Sequence, residues 1–308
     1  MQSSSDHERA RVLSGISADL AGLSTQTAQA LTAAGVAHGF ATRTGGISTV
    51  YLADSTNATV GELNLGFTPT DERANVLENR RRLLVGTFGS ELPLVTLHQI
   101  HSSISYRVGR DDAGRSTPLQ GDGLMTNEPG VVLGVQTADC VPVLVADRKR
   151  GAVAAFHAGW RGTVRRIVES GVAQMRAEFG SEPADLVAAI GPSIRSCCYA
   201  VGEEVRAEFR SRFGYADELF CERVADDRAK EAHTTLLHEE TLRQCTAGRP
   251  RLFLDLALAN RRQLLDAGLS ADAIGVTSHC TSCRGDLYFS HRAGGGFAGR
   301  MMNVIAAR

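Results

Sequence analysis

Three apolar runs in the middle of the chain, Val131–Val135, Val141–Ala146 and Ala152–Phe156, constrain the fold most. Each is too short for a buried helix. Each is bounded by turn residues and valine features in all three, a residue stiff in helices and well suited to a pleated surface, so strands are expected. The last two runs are joined by Asp147-Arg148-Lys149-Arg150-Gly151, which is short, polar and closed by a glycine. That reads as a hairpin connection. An antiparallel pair brings the start of its first strand beside the end of its second, so residues flanking this hairpin become neighbours.

The remaining elements do not alternate in a regular βα order. Residues 1–15 read as a loose arm and Asp19–Ala34 as a helix stopped by Gly35. Ala37–Arg43 reads as a strand leading into a turn at Thr44-Gly45-Gly46, followed by an irregular stretch over 47–70. A helix is expected from Thr70, with Val76, Leu83 and Leu84 as its apolar stripe, and strands over Pro93–His101 and Ser105–Val108. A polar loop spans 109–120. Helices are expected over Thr163–Phe179, Gly202–Phe213 and Ala257–Ala267, with Asp255 as a cap of the last. Strands are expected over Leu186–Ile190, Arg251–Leu256 and Ala273–Val276. This mixture points to an α+β, or mixed α/β, single domain over 38–308, with 1–37 as an N-terminal extension carrying the first helix.

Charge and cysteine usage exclude several function classes. The chain has 308 residues, with 33 Lys plus Arg against 34 Asp plus Glu. A net charge of -1 gives no general attraction to nucleic acid or to a membrane surface. No apolar run of about 18 residues suggests a transmembrane helix, and the polar start MQSSSDHERARVLSG has no signal-peptide pattern, so a cytoplasmic location is expected. Seven scattered cysteines are not a disulfide framework. No GxGxxG or GxxxxGK[ST] string follows an expected strand.

Chemistry concentrates in Thr137–Gly162, TADCVPVLVADRKRGAVAAFHAGWRG. Cys140 precedes one hairpin strand and His157 follows the other, so thiol and imidazole meet at one edge and can share an ion. A cysteine beside a strand is otherwise most often a small buried hydrophobe. A third ligand would come from PLVTLHQIH, where His98 and His101 compete. Two histidines and one cysteine make a zinc set that leaves a fourth position open to water or substrate. Asp139, Ser102 or a backbone carbonyl would support these ligands. Arg43, before Gly45-Gly46, and Arg161, at a helix start, suit an anion, and Asn64 sits in the apolar string Leu63-Asn64-Leu65-Gly66. Cys140 with His157 as base would also suit a cysteine hydrolase. Cys280 and Cys283 form a CxxC with no second CxxC to match, and Cys197 or Cys198 could join it in a structural site.

Several ordered strings over residues 38–302 carry a resemblance. They are Thr42-Arg43 with Gly45-Gly46, Leu63–Gly66, Gln99-Ile100-His101-Ser102, Thr137-Ala138-Asp139-Cys140 with Pro142, and His157–Gly162. Later come Ile190–Ile194, Cys197-Cys198-Tyr199, Leu254-Asp255-Leu256 with Asn260, Cys280-Thr281, Phe289-Ser290 and Gly299-Arg300. The chain resembles the bacterial laccase-domain proteins, the multicopper polyphenol oxidoreductase or purine nucleoside phosphorylase family. The resemblance implies mixed β-sheets sandwiched by helices, a laccase-domain/cytotoxic-necrotizing-factor-like fold, and a metal triad of His101, Cys140 and His157. It decides His101 over His98. Departures are Arg195 for a usual glycine, Ala200 for a glutamate and Ala298 for a threonine.

Two activities go with that resemblance. One is copper-dependent phenol oxidation. The other is zinc-dependent phosphorolysis of adenosine, inosine, guanosine or methylthioadenosine, with adenosine deamination. A laccase needs a blue copper and a trinuclear centre, which nine histidines without an HxH string do not supply. Copper remains a possible guest, because affinity among divalent ions peaks there. The expectation is therefore a zinc-dependent purine nucleoside enzyme with orthophosphate as co-substrate, acting as a monomer or homodimer. Arg43 would hold phosphate, Asn64, His98 and Arg161 would face substrate, and His98 or Asp139 would move a proton.

Overall fold

Alternation along the valine-rich runs decides how the layers stack. The computed structural model describes residue 20 and residues 22–52, 61–224 and 250–308. In chain order its strands are β1 (Thr25–Gln26), β2 (His38–Ala41), β3 (Thr44–Gly46), β4 (Gly61–Glu62), β5 (Leu94–Thr96), β6 (Ser105–Arg107), β7 (Gly123–Thr126) and β8 (Val132–Thr137). They continue as β9 (Val141–Asp147), β10 (Val153–Ala158), β11 (Leu186–Ile190), β12 (Ala200–Val201), β13 (Phe220–Val224), β14 (Pro250–Leu254), β15 (Ile274–Val276) and β16 (Met301–Ala306). The α-helices are α1 (Gln29–Ala33), α2 (Arg73–Phe88), α3 (Trp160–Val164), α4 (Ile167–Phe179), α5 (Glu203–Arg210) and α6 (Leu256–Asp266).

Two mixed sheets carry the fold. One runs β1-β2-β16-β8-β5 and the other β15-β11-β9-β10-β7-β6. In each, antiparallel pairs form the centre and a parallel pair closes an edge. Along β9, Val141, Val143 and Val145 face a core shared with Ile167, Val168 and Val172 of α4 and with Leu264 of α6. Leu144 and Ala146 of the same strand face the other way, against Phe40, Leu133, Val135 and Ile305 of the five-stranded sheet. The outer face of that sheet buries Val132, Met302 and Val304 against Leu83 and Leu84 of α2. The order is helices, sheet, sheet, helix, as expected of mixed sheets sandwiched by helices. Each fully buried Val, Leu or Phe contributes about 1.5–3 kcal/mol relative to exposure, and the three interfaces between these four layers hold most of them.

The hairpin forms as expected. β9 and β10 pair antiparallel, with Val153 opposite Ala146 and Ala158 opposite Val141. Asp147 Oδ1 accepts from the backbone N–H of Lys149 (2.8 Å) and Arg150 (2.9 Å), and Gly151 takes φ 69°, which a glycine adopts without strain. Asp255 caps α6 by accepting from Leu258 N at 2.9 Å.

Several elements differ from expectation. Thr44–Gly46 is a strand paired with β4, not a turn, because Gly46 lets the two backbones approach within a distance no Cβ tolerates. The expected strand over Pro93–His101 ends at Thr96. The expected helix over Thr163–Phe179 is two helices, α3 and α4, divided at Arg166 with φ 60°. Strands β7 and β16 were not anticipated. Residues 25–36, expected to lie outside the main unit, pack into it: β1 pairs with β2, and Leu31 and Val36 are buried in the core. The expected helix over Asp19–Ala34 is helical only over Gln29–Ala33, and its first residue lies outside the described residues, as do residues 1–15. Among the described residues no helix is long and apolar enough to cross a membrane.

Candidate metal centre and substrate site

The open end of the β9–β10 hairpin brings three side chains together. His157 lies within β10, one residue before its end, and Cys140 sits immediately ahead of β9. His101 comes from the loop that follows β5. The ligand atoms of His101, Cys140 and His157 all lie within 4.8 Å of one another. Cys140 Sγ is 3.9 Å from His101 Nε2, and the two imidazole rings meet edge to face with centroids 4.9 Å apart.

Asp122, just ahead of β7, organises the cluster. Its Oδ1 accepts from His157 Nδ1 (2.8 Å) and from the backbone N–H of His101 (3.1 Å). Its Oδ2 accepts from Ser102 N (2.6 Å), Ser102 Oγ (2.7 Å) and Ile100 N (3.3 Å). The carboxylate is fully buried, which alone would raise its pKa. The hydrogen bonds from His157 and Ser102 outweigh burial and hold it down at about 2. An ionised Asp122 accepts from Nδ1–H of His157 and so leaves Nε2 for the cluster. The supporting place expected for Asp139, Ser102 or a carbonyl is taken at His157 by Asp122. Only its place in Gly121-Asp122-Gly123, at the start of an unanticipated strand, could have drawn notice.

Backbone strain marks the same site. His101 has φ 58° and Asp139 φ 95°, both in a region that non-glycine residues seldom occupy. His101 is held there by the Asp122 bonds and by Gln99, whose side chain exchanges hydrogen bonds of 2.8 and 2.7 Å with the backbone of Gln136. Asp139 is held by Thr281 Oγ1 (2.6 Å) and Arg292 N (2.7 Å), one on each carboxylate oxygen. Both oxygens of Asp139, which was expected to move a proton, thus accept hydrogen bonds within the fold, and the next residue is Cys140.

Charge within the cluster favours a Cys140 thiolate beside a protonated His157. Burial disfavours the Cys140 thiolate, but the His157 charge and the hydrogen bond from His101 bring its pKa down to about 6. Burial likewise disfavours a charged His157, and the attraction of Cys140 and Asp122 raises it to about 9. The thiolate is a ready donor, and an ion bound here would take the place of the proton on His157, which leaves a thiolate and an imidazole, the donors a borderline-soft divalent ion takes. Space is reserved as well: a Cβ on Gly159 would stand 2.9 Å from His101 Cδ2 and 3.1 Å from Cys140 Sγ. The donor set and this cradle fit a three-ligand metal site.

The other expected site residues are distributed differently. Arg161 stacks over Trp160 at 4.6 Å and lines a cavity of about 630 Å³ with Trp160, Tyr199, Glu203 and Arg292. Arg292 and Tyr199 were not anticipated there. His98 is exposed and lies outside the cluster, its backbone pairing with Leu119 and Gly121. Arg43 is engaged by Glu62, by the carbonyl of Gly285 (2.7 Å) and by the ring of Phe289 (4.7 Å). Asn64 is fully buried and bonded to Gly66, Asp71 and Arg300 N, so its amide is spent on the fold and not on a substrate.

Known proteins share this chain's pattern. The family described as multi-copper polyphenol oxidoreductase laccase matches residues 37–308. The chain is 34% identical over 275 residues to the purine nucleoside phosphorylase YlmD of Geobacillus stearothermophilus, covering 87% of this chain and 92% of that protein. It is 37% identical over 184 residues to adenosine deaminase RL5 from an unknown prokaryotic organism, covering 60% of this chain and 61% of that one. The crystal structure of YlmD from Geobacillus stearothermophilus superposes with a TM-score of 0.74 at 32% identity, over 93% of this chain and 96% of that one.

Proposed function

The chain belongs to the multi-copper polyphenol oxidoreductase laccase family, and from that premise we propose that it is a zinc-dependent purine nucleoside enzyme. It cleaves purine nucleosides with orthophosphate to the free base and ribose 1-phosphate, and deaminates adenosine to inosine. The observation that carries this reading is the convergence of His101, Cys140 and His157 within 4.8 Å, with His157 held from behind by buried Asp122. The similarity to a purine nucleoside phosphorylase and to an adenosine deaminase supports the substrate class.

His101, Cys140 and His157 would hold the ion. When bound, zinc supplies a Lewis acid that polarises an oxygen or lowers the pKa of water. The chain's own residues do the rest. Asp122 orients His157 and, through the 100–102 backbone, His101. Thr281 and Arg292 N fix Asp139, and with it Cys140. The adjoining cavity lies within the range of about 300–1,000 Å³ typical of small-molecule sites, and its Trp160 and Tyr199 rings suit a purine face. Arg161 and Arg292 supply guanidinium groups for phosphate, the task expected of Arg43. In phosphorolysis a phosphate oxygen bonds to C1′ of the ribose while the C1′–N9 bond breaks and its electron pair leaves with the purine.

The donor set does not suit a laccase. Among the described residues, His38 is bonded to Ala28 and Val36, and His279 to Gln26 and Tyr288, away from the triad. Among the described residues the histidines needed for a trinuclear copper cluster do not converge.

The test is product analysis from inosine and adenosine, with and without phosphate, on metal-analysed wild type and Cys140→Ala. Inosine is expected to yield hypoxanthine only with phosphate, adenosine to yield inosine without it, and Cys140→Ala to lose both. Full turnover by Cys140→Ala, or none by the zinc-loaded wild type, would defeat the reading.

A further inference from the structure

Four cysteines outside the triad converge on one point. Cys197 and Cys198 are neighbours in the segment between β11 and β12, and Cys280 and Cys283 form a CxxC turn after β15. Their sulfurs all lie within 4.8 Å of one another. Cys283 Sγ is 3.3 Å from Cys198 Sγ and 3.6 Å from Cys197 Sγ. Zinc–sulfur bonds of about 2.3 Å in a tetrahedron place the sulfurs about 3.8 Å apart. A disulfide needs about 2.05 Å and joins only two of the four. The spacing is thus that of four donors around a common centre.

The backbone around the cluster holds one of its sulfurs in place. The buried sulfur of Cys280 accepts from the backbone N–H of Arg195 and of Cys283, the kind of outer hydrogen bond that orients a metal-bound sulfur. Arg195 and Arg284 flank the cluster in sequence, and Arg223 bonds the carbonyl of Ser196 beside Cys197.

We infer that Cys197, Cys198, Cys280 and Cys283 form a second metal site, a closed tetrathiolate site for zinc with a structural task. Cys197, Cys198 and Cys283 are at least partly exposed, so the site can exchange its ion. It clamps two segments that are otherwise held by the Ser193–Cys280 bridge and by Thr281 N to Ser193 O (3.1 Å). Each segment reaches the triad's surroundings. Thr281, next to Cys280, donates to Asp139, and Tyr199, next to Cys198, lines the cavity with Arg292. The ion therefore acts as a positioning element for the loop that carries Asp139 and Cys140. The wild-type count of two ions rests on the proposed function, and Cys140→Ala, in which the triad is broken, reads this site by itself.

The test uses the full chain produced with zinc and freed of loose metal by desalting. Elemental analysis is expected to give about two zinc ions per chain in the wild type and about one in Cys140→Ala and in Cys280→Ser/Cys283→Ser. Single replacement of exposed Cys283 guards against a folding failure, with circular dichroism as the check, and exposed Cys221→Ser serves as the control that keeps both ions. Cobalt substituted into Cys140→Ala is expected to show the intense visible absorption of a tetrahedral thiolate site. Metal-free Cys140→Ala, full metal content in the Cys280/Cys283 variant, iron in place of zinc, or a disulfide among the four cysteines in alkylated peptides would each overturn the proposal.

Discussion

Asp122 and His157 are joined twice. Asp122 Oδ1 accepts from His157 Nδ1 at 2.8 Å, and the backbone carbonyl of Asp122 accepts from His157 N at 2.8 Å. One residue thus fixes both the strand position and the ring orientation of one member of the triad, while its second oxygen gathers the loop that carries another. Asp122→Asn puts an amide N–H₂ where donors already point. Metal affinity is expected to fall about 10–100-fold, the usual cost of losing such a partner. Orphaned backbone donors cost about 1–3 kcal/mol each, so the urea midpoint should fall as well. Competition with a chelator and urea denaturation measure the two effects, and an unchanged affinity would remove Asp122 from its role.

Gly159 separates space from backbone. Its φ of -70° and ψ of 170° suit any residue, so glycine is not required by conformation. A Cβ at 2.9 Å from His101 Cδ2 must displace the ligand ring. Gly159→Ala is expected to lower metal affinity at least tenfold, by about 1.4 kcal/mol, while the metal-free protein keeps its thermal midpoint within a few degrees. Isothermal titration with zinc and calorimetry of the metal-free protein check this. Wild-type affinity in the variant would show that the cradle is not needed.

Arg161 tests the anion side of the cavity. Its described contact is the Trp160 ring, and it lies outside the triad. Arg161→Ala is expected to raise the KM for phosphate about 10–100-fold, the worth of a charge-assisted hydrogen bond, with zinc content unchanged. Steady-state kinetics in phosphate at fixed inosine give the number. An unaltered phosphate KM would move the anion site elsewhere.

His38 supplies a pH dependence far from the metal. It is buried in β2, its Nδ1 donates to Val36 O (2.8 Å), and its Nε2 accepts from Ala28 N (2.7 Å). A backbone N–H pointing at Nε2 leaves no room for a second proton, and burial lowers the pKa below its ordinary 6.5. The unfolded chain then binds the proton more readily than the folded one, so stability rises with pH. The contribution is complete above 6.5 and is lost as pH falls through the lower folded value. Urea midpoints should therefore drop between pH 7 and pH 5, and His38→Asn should be less stable at pH 7 with a shallower slope. A slope equal to the wild type's would assign the dependence to another group.

Local information in the chain reached as far as the β9–β10 hairpin. Its turn closes within a few residues and its valines alternate, so the encounter of Cys140 and His157 follows from pairing geometry that any antiparallel hairpin obeys. The α2 helix and the α6 cap were legible for the same reason, since their partners lie within one or two turns. Strands β7 and β16 were not, because Gly123 and buried Asn303 break the apolar pattern and find their partners far along the chain. Asn303, for instance, donates to Val135 O and Thr137 Oγ1.

Tertiary structure alone decided the rest of the site. His101 reaches the hairpin only because Asp122 ties a strained loop to β10, and Asp139 is held by groups from residues 281 and 292. The four-cysteine cluster has halves separated by more than eighty residues, and no spacing in the sequence sets their distance. Composition and periodicity specify which surfaces must be buried and which neighbours a turn can join. They carry no term for which buried carboxylate meets which imidazole, because that follows from how two whole sheets settle against each other.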